Sequence, residues 1–139
     1  MSASVRSFID TNVWLYALVE GDPVKSAPAA SLLQRSSIAV SVQVINEVCV
    51  NLIRKASFRE SDVRALIDSF YVKCLVVTLN KQVLLRASEL RDRYSLSFWD
   101  STVVASALHC QVTTLYSEDM QHRLLVNDTL RIVNPFLPG

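Results

Sequence analysis

The chain has 139 residues, half of them apolar and 19% charged, with a formal net charge of +1. That profile fits one folded domain with a single core and excludes a disordered chain. The near-neutral balance excludes a sequence-indifferent, strongly electrostatic nucleic-acid coat protein, while leaving room for a local basic patch.

Cys49, Cys74 and Cys110 are far apart and form no CxxC pair. They suggest neither a zinc site nor a disulfide framework, and buried reduced thiols are expected. The opening MSASVRSFIDT lacks the apolar stretch of a signal peptide, and no apolar run reaches membrane-spanning length, so a cytoplasmic protein is expected. The only glycines, Gly21 and Gly139, leave no glycine-rich phosphate loop and no linker. Residues 1–139 read as one domain.

VRSFID reads as a short buried strand. TNVWLYALVE follows as a helix capped by Thr11 or Asn12. After the turn GDP, a helix is predicted over KSAPAASLLQRS with Pro28 in its first turn, then a strand over SIAVS. From Ser41 the period becomes helical, with Val44, Ile45, Val48, Cys49, Leu52 and Ile53 on one side to about Lys55. SFRE has capping-box form, Ser57 with Glu60, opening a helix to Phe70 or Tyr71. VKCLVVTL reads as the clearest strand. Asn80 caps a helix from Lys81 to Tyr94 with Val83, Leu84, Ala87 and Leu90 inward. SFWD, Ser97 with Asp100, opens the apolar helix STVVASALHC. VTTLYS is a strand, EDMQHR a turn or short helix, and LRIVNPF a last strand. Strands separated by helices imply parallel pairing: an α/β sandwich, three layers with a central, mainly parallel sheet.

In such sheets ligands gather beyond the carboxyl ends of the strands. Asp10 ends the first strand, Glu118 and Asp119 follow VTTLYS, Asp100 lies in the first turn of a helix, and Glu47 stands early in the helix after SIAVS. Taken singly, each has a plain structural reading: an Asx turn or cap for Asp10, a capping acid for Asp100, an exposed helical Glu47, a solvated loop acid at Asp119. Brought together, such carboxylates repel one another unless a cation lies between them, and all-oxygen ligands suit Mg2+ or Mn2+.

FIDTNVWLYA, SVQVINEV, LSFWDSTVVASAL, TLYSEDMQ and LRIVNPF, in this order, closely resemble the PIN-domain nucleases, and within them the VapC-type toxins of bacterial toxin–antitoxin pairs. The resemblance implies an endoribonuclease dependent on Mg2+ or Mn2+, homodimeric, and silenced by a small DNA-binding antitoxin. It maps Asp10, Glu47, Asp100 and Asp119 onto the family's metal-binding acids, with Asn12, Ser41 and Ser117 supporting them. RNA hydrolysis by a metal-activated water is then expected to leave a 5′-phosphate and a 3′-hydroxyl. Arg123 is the first candidate for holding RNA, with Arg54, Lys55, Arg59, Arg91 and Arg93 behind it. Relatives often carry glycine near Gln111 and Arg123, where this chain has none. Two rivals remain open at this stage: a catalytically silent PIN-like binding module, and a small-phosphate hydrolase with Asp10 as nucleophile. The second usually wants an acid where Asn12 stands. His109 and His122 read as structural or solvated. Trp14 and Tyr16 could serve either the core or an interface.

Overall fold

Strand and helix alternate through β1 (Arg6–Ile9), α1 (Thr11–Leu18), α2 (Pro23–Arg35), β2 (Ser37–Ser41), α3 (Val42–Ala56), α4 (Glu60–Lys73), β3 (Leu75–Val77), α5 (Lys81–Arg93), α6 (Phe98–His109), β4 (Thr114–Tyr116), β5 (Leu125–Val126) and β6 (Leu130–Val133). This computed structural model describes residues 6–19, 21–35 and 37–138. Val5, Glu20 and Ser36, which the sequence pattern places at element ends, lie outside them. One six-stranded sheet runs in the order β3-β2-β1-β4-β6-β5, parallel except for the β5–β6 hairpin. The expected α/β sandwich with a mainly parallel central sheet is therefore the observed one.

The core is the apolar content of β1, β2 and β4 with the inner faces of α3, α5 and α6. Phe8, Ile9, Val40, Val44, Val48, Leu52, Leu90 and Leu115 are all buried. Trp14 belongs to this core: its indole donates to Ile9 O at 3.0 Å, and its ring meets Phe70 edge-on at 4.8 Å. Burying both the ring and its N–H with a partner is what settles it as a core residue. Among the described residues no helix is long and apolar enough to cross a membrane.

Several expectations are corrected. Asp10, not Thr11 or Asn12, is the N-cap of α1. α2 starts at Pro23, a proline at the first helical position, which puts Pro28 inside the helix and not in its first turn. Ser57 does not cap α4; it ends α3 in the left-handed region at φ 56°, and Arg59 precedes α4, its N–H donating to the Asp62 carboxylate at 2.9 Å. VKCLVVTL shrinks to three strand residues, because α4 continues through Lys73 on the packing of Val63 and Phe70. Ile53 and Leu84 are exposed rather than inward. Of the thiols only Cys49 is fully buried; Cys74 and Cys110 are partly so. The hairpin strand β5 was hidden by its two-residue length.

With glycine only at 21 and 139, this chain makes left-handed turns from other residues. Asn127 and Asp128, at φ 48° and 62°, form the tip of the β5–β6 hairpin, a conformation these side chains tolerate. Gln111, at φ 60° just past α6, and Arg123, at φ 70°, have no such advantage. The left-handed conformation costs an ordinary residue about 1–2 kcal/mol, partly offset by the entropy a glycine loses on folding. Gln111→Gly is expected to stabilise the fold by about 1 kcal/mol, read as a higher urea midpoint at unchanged slope; a lower midpoint would contradict the strain.

Candidate active site

The register of the sheet builds the first part of the site. β1 and β4 are parallel neighbours with Ile9 opposite Tyr116, so Asp10 and Ser117 are the next pair beyond the paired strands. Backbone bonds extend the ladder past both: Asp10 N donates to Tyr116 O at 2.9 Å and Ser117 N to Val133 O at 3.0 Å. The side chains then meet. Ser117 Oγ donates to Asp10 Oδ2 at 2.9 Å, and Thr11 N donates to Asp10 Oδ1 at 2.8 Å. One carboxylate thus caps α1 and ties it to the neighbouring strand.

Asp10 is buried, and burial raises its pKa to about 6. The Thr11 and Ser117 hydrogen bonds pull it down, while the charges of Asp100 and Asp119 push it up. Asp100 also titrates above the usual carboxylate range, first through burial and further through Asp119, with a Ser97 hydrogen bond acting the other way. Ser97 caps α6, its Oγ accepting from Asp100 N at 3.0 Å. Asp119 is exposed, and Asn12 Nδ2 donates to its Oδ2 at 2.6 Å. Asp10, Asp100 and Asp119, far apart in sequence, therefore feel one another at the carboxyl edge of the sheet.

Glu118 and Asp119 are separated by their surroundings. Glu118 forms an ion pair with Lys25 and accepts from Tyr16 OH at 2.8 Å. The Lys25 ammonium also lies over the rings of Tyr16 and Phe136, 5.0 and 5.6 Å from their centres. Glu118 is thereby neutralised inside a small aromatic cluster, leaving Asp119 to face the other acids. Lys25 lies 93 residues from Glu118, and no sequence signal links the two.

Glu47 is not among the charges that act on Asp10. It is half-buried on α3, and Asn51 Nδ2 donates to its backbone O at 2.8 Å and its Oε1 at 3.3 Å. The spacing of four makes this pair readable from the sequence, although Asn51 was not singled out. Ser41 is fully buried and caps α3, its Oγ accepting from Val44 N at 3.1 Å, so it orients the helix that carries Glu47.

Two of the other candidate cations, Arg91 and Arg93, serve structural contacts. Arg91 stacks on Phe98 at 3.8 Å and donates to Ser101 Oγ at 2.7 Å, and Arg93 donates to Asn127 Oδ1 at 3.1 Å. Arg123 is exposed beside β6, its N–H donating to Ile132 O at 2.7 Å and its carbonyl accepting from Arg131. His122 Nδ1 accepts from Asn134 N at 2.9 Å, and His109 is exposed.

The donor set fits a hard divalent cation. It offers only oxygens, carries mutually repelling charges, and includes a buried carboxylate held oriented by two hydrogen bonds. Among the described residues no three His, Cys, Asp or Glu side chains close around one point. Mg2+ does not require that; it keeps several waters and uses one or two carboxylates plus substrate phosphates.

A mainly parallel sheet with aspartates gathered at its carboxyl edge is the architecture of the PIN domain. The PIN-domain family profile matches residues 7–125, and the chain belongs to that family. No curated protein sequence matches it. Solved structures do. VapC20 of Mycobacterium tuberculosis, a toxin that cleaves the sarcin–ricin loop, superposes with a TM-score of 0.67 at 22% identity, over 81% of this chain and 89% of that one. A toxin–antitoxin complex from Klebsiella pneumoniae gives 0.70 at 18%, over 93% and 97%. VapBC2 from Rickettsia felis, bound to a promoter DNA fragment, gives 0.64 at 15%, over 91% and 96%.

Asp10 makes the metal-free fold pH-sensitive. Its native pKa of about 6 lies above the ordinary value of 3.8, so the native state binds this proton more tightly than the unfolded chain. Stability from this group is full below about pH 4 and is lost as pH rises through about 6, on the order of 2–3 kcal/mol. Asp10→Asn removes that loss and keeps both hydrogen bonds if the Ser117 hydroxyl rotates. In EDTA at pH 7.5 the variant is expected to melt at a higher temperature than the parent, and the two should converge near pH 4. A variant less stable at both pH values would refute the burial penalty.

Proposed function

We propose that the chain is a metal-dependent endoribonuclease, the toxin of a toxin–antitoxin pair, with Asp10, Glu47, Asp100 and Asp119 as its functional acids. The observation that carries this reading is the buried Asp10 carboxylate, tied to Ser117 and set beside Asp100 and Asp119. Membership of the PIN family and the likeness to an RNA-loop-cleaving toxin and to a toxin–antitoxin complex support it.

Asp10, Asp100 and Asp119 would hold Mg2+ or Mn2+, which when bound polarises a phosphoryl oxygen, acidifies a water and neutralises charge on the leaving oxygen. The chain's own groups do the rest. Ser117 and Thr11 N fix the Asp10 carboxylate. Asn12 fixes Asp119. The N-terminus of α6 favours the ionised form of Asp100. Glu47, steadied by Asn51, would help hold a second cation or orient the attacking water. In-line attack leaves a 5′-phosphate and a 3′-hydroxyl.

The proposed partners are single-stranded or looped RNA, a small DNA-binding antitoxin, and a second copy of the chain. Exposed apolar residues such as Leu84, Leu85, Phe98 and Trp99 supply surface for a protein partner. A small gene immediately upstream, encoding a protein with a DNA-binding N-terminus, is expected.

Asp10→Asn is expected to lower RNA cleavage by about 100-fold or more in Mg2+ or Mn2+, assayed on a labelled single-stranded RNA. Undiminished cleavage by this variant would falsify the assignment, and metal binding without cleavage by the parent would identify a silent module. Ser117→Ala tests the positioning of Asp10 separately. Losing a hydrogen bond that lowers the Asp10 pKa moves the acidic limb of the pH–rate profile to higher pH. Raised Mg2+ should move it back, because cation and proton compete for the same carboxylate. An unmoved limb would show that Ser117 is only structural.

A further inference from the structure

A groove of about 250 Å³ leads away from the acids between α1 and α3. Its α1 wall is Asn12, Leu15, Tyr16 and Val19, spaced as one helical face, and its α3 wall carries Asn51 and Lys55. Both walls begin at the acids. Asn12 is hydrogen-bonded to Asp119 and Asn51 to Glu47. On α3, Glu47, Asn51 and Lys55 follow at intervals of four, so acid, amide and cation run in line over about 12 Å of helix.

We propose that this groove is a nucleoside subsite. The base next to the scissile phosphate lies against the apolar wall of Leu15, Tyr16 and Val19, and Lys55 meets the following phosphate. The proposal rests on the endoribonuclease reading and adds to it where the substrate runs. Asn51 Nδ2 donates to the backbone O and Oε1 of Glu47, and Asn12 Nδ2 donates to Asp119, so the two amide oxygens are the acceptors that these lining residues bring to the groove. Acceptors select a base edge that donates, such as the exocyclic amine of adenine, cytosine or guanine. A mixed wall of apolar faces with a few polar groups is the usual make-up of a small-ligand site. Asp22 also lines the groove, but its Oδ1 accepts from the N–H groups of Val24 and Lys25 at 3.1 and 3.3 Å. Its charge is thereby drawn to the start of α2.

Gly21 lines the same groove, and a Cβ added there meets nothing within 4 Å. Gly21→Trp therefore adds bulk at the groove from a position whose Cβ is unobstructed, with Gly21→Ala as its control. The assay is steady-state cleavage of a fluorescent single-stranded RNA containing every dinucleotide step, beside anisotropy of the uncleaved RNA in Ca2+. Gly21→Trp is expected to raise KM about tenfold with kcat within about threefold, since it removes binding common to ground and transition states. Lys55→Ala, an exposed site that holds the fold whatever Gly21→Trp does, should raise KM and flatten its salt dependence. Unchanged KM in both variants, with the parent active, overturns the subsite and leaves the nuclease reading standing. The same holds if Gly21→Trp weakens only binding of an antitoxin peptide. A parent that binds RNA without cutting it, with binding lost in Gly21→Trp, supports the subsite and sinks the nuclease reading. A parent that neither binds nor cuts overturns both.

Discussion

The hydrogen bond from Ser117 to Asp10 is the contact on which the site depends. It exists because β1 and β4 are adjacent and parallel with Ile9 opposite Tyr116, so the residues one step beyond share a face. A shift of one residue in that register would turn one of the two side chains to the other face of the sheet. The apolar residues that hold the register, Phe8, Ile9 and Leu115, are fully buried. The geometry of the acids is thus inherited from core packing. Asp10 also caps α1, which aims that helix, and with it Asn12, at the loop carrying Asp119.

A buried carboxylate with two more beside it is an unfavourable arrangement that the rest of the fold must support. Burial alone raises the Asp10 pKa more than any other influence on it. Two short hydrogen bonds offset part of that cost but not all. A cation held at this edge would relieve that surplus, because it would offset desolvation and repulsion together. Glu118 shows how a fourth nearby acid is kept out of this balance: Lys25 and Tyr16 hold it in an aromatic cluster of its own.

What the sequence disclosed follows from the range of the interactions concerned. The sandwich was legible because strand–helix alternation is local and repeated. Asp10, Asp100 and Asp119 were legible because each follows the end of a strand closely or lies in the first turn of a helix, and topology brings those ends to one edge. Element limits were less so. Phe58 and Arg59 look like part of a Ser57 cap, but α3 ends by turning Ser57 left-handed, so the next helix starts later. Val72 to Leu79 looks like a long strand, yet the helix that packs Phe70 into the core consumes its first residues. The Lys25–Glu118 pair was beyond reach, since contacts between distant segments leave no period in the sequence. Leu84 shows the reverse failure, because helical spacing marks a face without saying what covers it.

Asn12 belongs both to the acid edge and to the groove beside it. A second acid two places after Asp10 would suit a nucleophilic phosphohydrolase, but here it would add one more negative charge beside Asp10, Asp100 and Asp119. Asparagine has nearly the same shape and inverts the chemistry: its Nδ2 donates to Asp119 at 2.6 Å. A donor at that distance fixes the orientation of the carboxylate without adding charge. Asn51 does the same for Glu47 on α3. Two neutral amides thus hold two acids in place, and both amides also line the groove between α1 and α3, which joins the acid edge to that groove through shared residues.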